Sequence, residues 1–386
     1  MRKALKNIVN FGGDIYDKIY ITYREVLFYN YYHKTHMTSE IPDILTDEEK
    51  KQVDAFYKEN LGKKHSRRYH NVYKYYSGKF NKNFFPEDLI ILRVERNIID
   101  EHFGYVLSDK NFMPIIAEKA GVKTPRIIVF STRDLFFDGD YNMISREEAK
   151  EIIKKEKAFI VKPSIETGGG RDFSIYDSIA GYDEITDETV EEIFEKYGTD
   201  FAVQEKIINS EQIRKIYPQS LNTFRIITYI HDKEIKHTLS VLRLGGGGAR
   251  MDNATQGGMY VGVRDDGSLN DFAVDDFQHI NIREHGDTGT VFKGYKIEGY
   301  EKMVQAAKNM HRFLPKIGII NWDFTLDENN EPILIESNTI GGGGYQMIQC
   351  AHGEPVFGED TKDILKWVGK ISKLSKSKRK KMKLHL

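Results

Sequence analysis

From about residue 125 onward the apolar residues gather in short runs bounded by polar and glycine-rich segments. Arg126-Ile-Ile-Val-Phe130, Ala158-Phe-Ile-Val-Lys162-Pro163 and Phe201-Ala-Val-Gln-Glu205 read as strands, as do 223–230, 236–244 and 258–263. An Asp265-Asp-Gly267 turn closes the last of these. Helices fall between them. Ser145-Arg-Glu-Glu148 has the capping-box pattern, 187–197 and 300–314 carry helical spacing, and the segment 108–121 ends on Gly121. The first hundred residues have another texture. Tyr, Lys and Asn dominate, in clusters such as Phe28-Tyr-Asn-Tyr-Tyr32 and Tyr73-Lys-Tyr-Tyr76, and Asp47-Glu-Glu-Lys opens a helix with an acidic first turn. The pattern predicts an α+β chain with a mostly helical region over 1–104, a mixed domain over 105–370 and a basic tail over 371–386. No repeat of 20 to 50 residues is present.

Composition narrows the class. With 386 residues, 40% of them hydrophobic, the chain can bury a sizeable core. A formal net charge of −1 gives no overall bias toward nucleic acid. Cys350 is the only cysteine, so no intrachain disulfide can form, which fits a reducing compartment. The N-terminus lacks the apolar core of a signal peptide, and no apolar run approaches the ~18 residues of a membrane span. A cytoplasmic protein is expected. Lys373, Lys376, Lys378, Arg379, Lys380, Lys381 and Lys383 form a basic tail. Each basic residue near an anionic membrane contributes about 1 kcal/mol, so peripheral contact with the inner membrane face is one reading and a solvated terminus the simpler one. Basic residues interleaved with aromatics over 63–73 read as a solvated helix face, and His33 and His36 as surface residues.

The chemistry concentrates in Asn321-Trp-Asp323 and Ile335-Glu336-Ser-Asn338, flanking the turn sequence Asp-Glu-Asn-Asn at 327–330. A hairpin there brings Asp323, Glu336 and Asn338 together, and two carboxylates with a carboxamide suit Mg2+. An ordinary hairpin with a polar face is the competing reading of these residues alone. Upstream, Lys162 leads a strand into Gly168-Gly169-Gly170, where backbone N–H groups can approach phosphate. The P-loop and dinucleotide fingerprints are both absent. Gln204-Glu205-Lys206-Ile207 ends a strand against which an adenine ring can sit, with Glu211 beyond it for ribose hydroxyls. Arg225, beside Asn222 and Thr223, is placed on a strand to clamp an anion. A second glycine-rich segment carries Arg250 and Asn253, and a third covers 341–344.

Taken in order, these pieces resemble the ATP-grasp fold, in which two α+β subdomains close on ATP and Mg2+. Asp109-Lys110 before a helix looks like the first nucleotide lysine of that family and Val161-Lys162-Pro163 like the second. Glu336-Ser-Asn338-Thr resembles the Glu-Ala-Asn-Thr signature of D-alanine–D-alanine ligases. Asn222-Thr-Phe-Arg225 and the segment 250–258 resemble the sugar-transfer-associated ATP-grasp group, linked to surface polysaccharide biosynthesis. The resemblance covers about 105–350 and implies a mobile glycine-loop subdomain near 125–200. It implies nucleotide binding by Lys110, Lys162, Gly168, Gly169, Gly170, Glu205, Lys206, Ile207 and Glu211, and metal binding by Asp323, Glu336 and Asn338. Two departures stand out: Asn321 where those ligases have an arginine, and four glycines where they have a Pro-Gly turn. Arg225 and Arg250 are the expected replacements as catalytic cations, with Asn222, Asn253 and Asn321 toward the substrate.

The implied activity is a carboxylate–amine ligase working through an acyl phosphate. Its small-molecule substrates would be an amino acid and a sugar acid or a nucleotide- or lipid-linked sugar, with no nucleic acid partner. A peptide-modifying ligase and an inactive glycan-binding scaffold are the alternatives.

Overall fold

A computed structural model describes residues 2–34, 41–164, 174–177, 182–183, 189–252, 257–277, 279–339 and 343–379. His36, Gly168, Gly169, Gly170, Asn253, Gly341 and the last seven residues lie outside them.

Two antiparallel sheets organise the chain. The first comprises β1 (Ile127–Thr132), β2 (Leu135–Asp138), β3 (Met143–Ile144), β4 (Ala158–Pro163), β5 (Ser174–Asp177), β6 (Tyr182–Asp183) and β7 (Phe201–Glu205), in the order β3-β2-β1-β7-β4-β5-β6. Helices Arg146–Ile153 and Val190–Tyr197 cover one face. Both start with capping boxes, Ser145 with Glu148 and Thr189 with Glu192. Phe159, Val161, Phe201 and Val203 point into that core. The register pairs Lys162 with Ala202 and Ile160 with Gln204, so alternation puts these four on the opposite face.

The second sheet comprises β8 (Thr223–His231), β9 (Glu234–His237), β10 (Ser240–Leu244), β11 (Met259–Val263), β12 (Leu269–Asp275), β13 (Ile319–Leu326) and β14 (Pro332–Asn338). Its order is β12-β11-β10-β8-β13-β14, with β9 paired to β8. The single strand expected over 236–244 is therefore two. Thr238 and Leu239 break it, and the Thr238 amide reaches Ile227 O. β12 was not foreseen, because Leu-Asn-Asp-Phe-Ala-Val-Asp lacks clean alternation.

The strands of this sheet are buried on both faces. Phe224, Ile226, Leu242, Trp322 and Phe324 pack against the helix Tyr300–Arg312. Ile227, Tyr229, Val241, Tyr260 and Ile319 form a second core with residues from 41–98 and from helices Tyr345–His352 and Thr361–Ile371. The tyrosine-rich region is thus an interior. Tyr57, Tyr73 and Tyr76 are fully buried, and Tyr69 and His70, read from sequence as part of a solvated face, are buried too. Lys64 and Arg67 both pair with Asp54. Each such aromatic contributes about 1.5–3 kcal/mol by leaving water. The change of texture near 105 is consequently not a limit of packing. Between Glu87–Leu89 and Arg96–Ile98 the helical stretch contains a π-helical segment, Ile90–Glu95. Among the described residues no helix is long and apolar enough to cross a membrane.

Candidate functional site

The β13–β14 hairpin is pinned by its turn. The Asp327 carboxylate accepts from the Asn329 and Glu331 amides at 2.9 Å each. The resulting register sets Asp323 opposite Glu336 and Asn321 opposite Asn338, with a bulge after Asp323. On its other side β13 pairs with β8, and Arg225 stands directly opposite Asp323. Residues opposite one another share a face, so the three charges fall into one row.

The row is tightly bonded. Arg225 donates Nε to Asp323 Oδ1 at 2.6 Å and Nη2 to Oδ2 at 3.2 Å, a two-pronged pair shielded from solvent. Arg243, on β10, donates Nη1 to the same Oδ2 at 3.3 Å and Nη2 to Asp252 Oδ1 at 3.0 Å. Asp252 also accepts from the amide and hydroxyl of Thr223. The Asn338 amide reaches Asp323 Oδ2 at 3.4 Å. Arg225 Nη1 further contacts Gly343 O at 3.4 Å, and a Cβ on Gly344 would come within 3.1 Å of the Arg225 side chain. Glycine at 344 therefore lets the chain pass close over the Arg225 side chain.

A second charged group lies where the two sheets meet. Lys110 Nζ is 3.4 Å from Glu336 Oε1, and the Lys110 amide donates to Ser164 O at 2.9 Å, just past the end of β4. Lys162 projects from β4 toward them. Burial, reinforced by the neighbouring Lys110 charge and opposed by Glu336, lowers its pKa to about 8. A narrow cleft opens here, lined by Ser108, Lys110, Gln204, Leu334 and Glu336 among others. Gln204 is buried and its Oε1 has no partner among the described residues, so the cleft wall offers an acceptor.

The other sequence candidates are distributed as follows. Glu205 accepts from the Arg126 amide at 2.9 Å and returns its own amide to Arg126 O at 3.0 Å, while Lys206 and Ile207 are half-buried beyond it. Glu211 opens the helix Glu211–Ile216, is exposed, and pairs with Lys215 at 2.9 Å. Arg250 is exposed after the glycines of 245–248. Arg243, which the sequence reading did not single out, occupies the place beside Arg225. Asn222, expected to face a substrate, is instead fully buried and structural. Its Nδ2 donates to Tyr217 O at 2.7 Å, and its Oδ1 accepts from Ser220 Oγ at 2.7 Å and Gly245 N at 3.2 Å. Asn321 donates Nδ2 to the Tyr345 hydroxyl at 3.2 Å, and its Oδ1 has no partner among the described residues.

The oxygen set of Asp323, Glu336 and Asn338 fits Mg2+ in kind. No three of the described His, Cys, Asp and Glu residues gather closely enough to hold an ion, so the carboxamide would have to be the third donor. In this structure Arg225, Arg243 and Lys110 neutralise the two carboxylates.

Comparison with known proteins follows the same lines. The family described as "Sugar-transfer associated ATP-grasp" matches residues 93–364. No curated protein matches the chain. Among solved structures, the biotin carboxylase–beta-gamma-ATP complex from Campylobacter jejuni aligns at 13% identity and TM-score 0.42, covering 68% of this chain and 46% of that one. VanG D-Ala:D-Ser ligase from Enterococcus faecalis aligns at 16% identity and TM-score 0.41, covering 68% and 62%. An L-amino acid ligase from Bacillus licheniformis aligns at 15% identity and TM-score 0.38, covering 67% and 48%. The chain thus spans about half to three-fifths of the length of these proteins.

Proposed function

The chain belongs to the sugar-transfer associated ATP-grasp family and has its α+β fold, and on that premise we propose that it is an ATP-dependent carboxylate–amine ligase. The observation that carries this reading is the row of matched charges across β10, β8, β13 and β14, ending in the Lys110–Glu336 pair at the cleft. Fixed cations and carboxylates at the edge of a cleft are what phosphoryl transfer requires, since its catalysis is mostly positioning and charge stabilisation.

In this proposal Lys110, Lys162 and the glycines at 168–170 hold the ATP phosphates. Asp323, Glu336 and Asn338 would hold Mg2+, which when bound neutralises charge on the phosphate oxygens. A substrate carboxylate oxygen attacks the γ-phosphorus, ADP leaves, and an acyl phosphate remains. An amine nitrogen then attacks the acyl carbon, the C–O bond to phosphate breaks, and phosphate departs as the nitrogen loses its proton. Arg225 and Arg243 face the reacting anions, with Arg250 a further candidate from the glycine-rich segment. Lys206 and Ile207 border the adenine, and Glu211 the ribose. The family's description, which names sugar transfer, supports a carbohydrate substrate; a role in surface polysaccharide synthesis on the cytoplasmic side belongs to the same proposal.

Hydroxylamine trapping tests the reading. Supplied with ATP, Mg2+ and a carboxylate panel of amino acids and uronic acids, the protein should yield a hydroxamate together with ADP. Glu336→Gln should fold normally and give neither product. Recovery of a phosphorylated sugar as the stable product would replace the ligase reading with a kinase.

A further inference from the structure

On the face of the larger sheet that carries Arg225, a second group of carboxylates lies apart from the row described above. Glu95, in the π-helical segment, is buried and accepts from the Tyr345 hydroxyl at 2.5 Å. That hydroxyl in turn accepts from Asn321, two residues along β13 from Asp323. The hydrogen-bond chain therefore runs from Glu95 to the edge of the Arg225–Asp323 site. Glu87 begins the same helical stretch, and Asp276 follows β12. Neither has a hydrogen bond or ion pair among the described residues, in contrast to Asp323, Asp252 and Glu336, each of which has a cation.

Two polar atoms on this face also lack partners among the described residues. Asn321 is 1% exposed with Oδ1 unbonded, and Tyr260 is 0% exposed with its hydroxyl unbonded. Tyr260 stands opposite Arg243 in the register, and the charges of Asp275 and Asp276 act on its hydroxyl. Burial, then Glu95, Asp88 and Asp276, push the Glu87 carboxyl up to about 8. Burial and Asp275 push Asp276 up to about 6, with Arg243 the one opposing charge. π-Helical insertions recur at functional sites, where they re-aim side chains. Buried polar atoms without partners are a cost that native proteins keep where a ligand supplies the missing bond.

We propose that this face, beneath the helical stretch 87–98 and the helix Tyr345–His352, is the binding site of an ammonium-bearing acceptor. An ammonium beside Glu87 and Asp276 favours their ionised form, so these two carboxyls give up their protons and supply its negative charge, while Asn321 Oδ1 and the Tyr260 hydroxyl offer further hydrogen bonds. The inference rests on the ligase reading and extends it: the amine enters on the acidic side, and the activated carboxylate lies on the arginine side. An organic cation suits the arrangement better than a metal ion, because an ammonium distributes separate N–H bonds over acceptors that do not converge on one point. No three described acidic, His or Cys side chains converge here.

The test uses 2-amino-2-deoxyglucose as the cationic probe and N-acetylglucosamine as its neutral counterpart. Binding to the full-length protein is followed by saturation-transfer NMR in the presence of a nonhydrolysable ATP analogue. The amine should bind at least tenfold more tightly than the acetamide, and Glu87→Gln and Asp276→Asn should each weaken the amine at least tenfold. Both variants should hold or raise the Tm, since each replaces a carboxyl group whose ionisation burial disfavours. Equal binding of the two probes, binding of neither, or amine binding unchanged in both variants would overturn the assignment. So would a Glu87→Gln protein that loses the amine and several degrees of Tm together, which would mark Glu87 as a structural anchor. The ATP analogue is titrated in parallel. Charge-selective amine binding without nucleotide binding would sink the ligase reading instead, and nucleotide binding without amine selectivity would sink this proposal alone.

Discussion

Lys162 offers the sharpest test of the phosphate cradle, because its ammonium is unstable where it sits. Burial and the adjacent Lys110 hold its pKa at about 8, so the free protein loses that charge just above neutrality. Phosphate oxygens favour the charged form and draw the pKa back up. Nucleotide affinity should therefore be full below pH 8 and fall as pH rises through it. With a pKa of about 8, the charged fraction drops from about 0.76 at pH 7.5 to about 0.09 at pH 9.0. The apparent Kd should weaken about eightfold, or about 1.3 kcal/mol. Phosphate groups themselves titrate near pH 6, below this window. Calorimetric titration of a nonhydrolysable ATP analogue at pH 7.5 and 9.0 measures the change. Lys162→Arg should bind comparably at both values, since guanidinium keeps its charge. An affinity that stays constant for the wild type, or that falls equally in the Arg variant, would show that Lys162 does not contact the phosphates.

Other outcomes follow from the same geometry. Arg225→Lys replaces a two-pronged pair by a point charge and leaves Asp323 with one matched oxygen fewer; turnover should fall at least about tenfold while ATP-analogue affinity changes less than about threefold. Arg225→Ala should destabilise the fold by about 3–5 kcal/mol in urea titrations, as a buried carboxylate loses its main partner. A Cβ on Gly262 would come within 2.7 Å of His352, which is bonded to Ser240 O at 2.8 Å. Gly262→Ala should therefore push the helix Tyr345–His352 off the sheet and cost about 1–3 kcal/mol, read from the urea midpoint.

The parts of this site that the sequence displays are the local ones. Asp323, Glu336 and Asn338 can be placed together because a short turn and strand alternation decide their relation within 15 residues. Arg225 sits on Asp323 from 98 positions away, through a β8–β13 register that no local pattern specifies. Arg243 hides for the same reason. In Ser-Val-Leu-Arg-Leu it passes for a lone charge on an edge, although a charge inside so apolar a strand is itself a sign of a buried partner. Asn222 misled in the opposite direction, since its motif marks a resemblance while its side chain is taken up by turn bonds. The main strands, the helices near 146–153, 190–197 and 300–312 and the hairpin could be read from periodicity, whereas a division into two subdomains is implied only by the resemblance and the short strands β2, β3, β5 and β6 go unread. The break at 238–239, the strand β12 and the aromatic interior of the N-terminal region depend on tertiary pairing.

That aromatic interior has a consequence for how the molecule can be divided. The family likeness begins at residue 93, yet Ile227, Tyr229 and Tyr260 of the larger sheet share one apolar cluster with Val53, Tyr57, Tyr73 and Phe85. Phe85 is moreover bonded to Gln349 by both its amide and its carbonyl, at 2.7 Å and 2.9 Å. A fragment cut at the start of the likeness would uncover part of that sheet face and orphan the Gln349 amide in one stroke. The stretch that carries the likeness and the stretch that shares this apolar cluster are therefore different parts of this chain. Its N-terminal hundred residues belong to the second, as the other half of the wall against which the sheet is built.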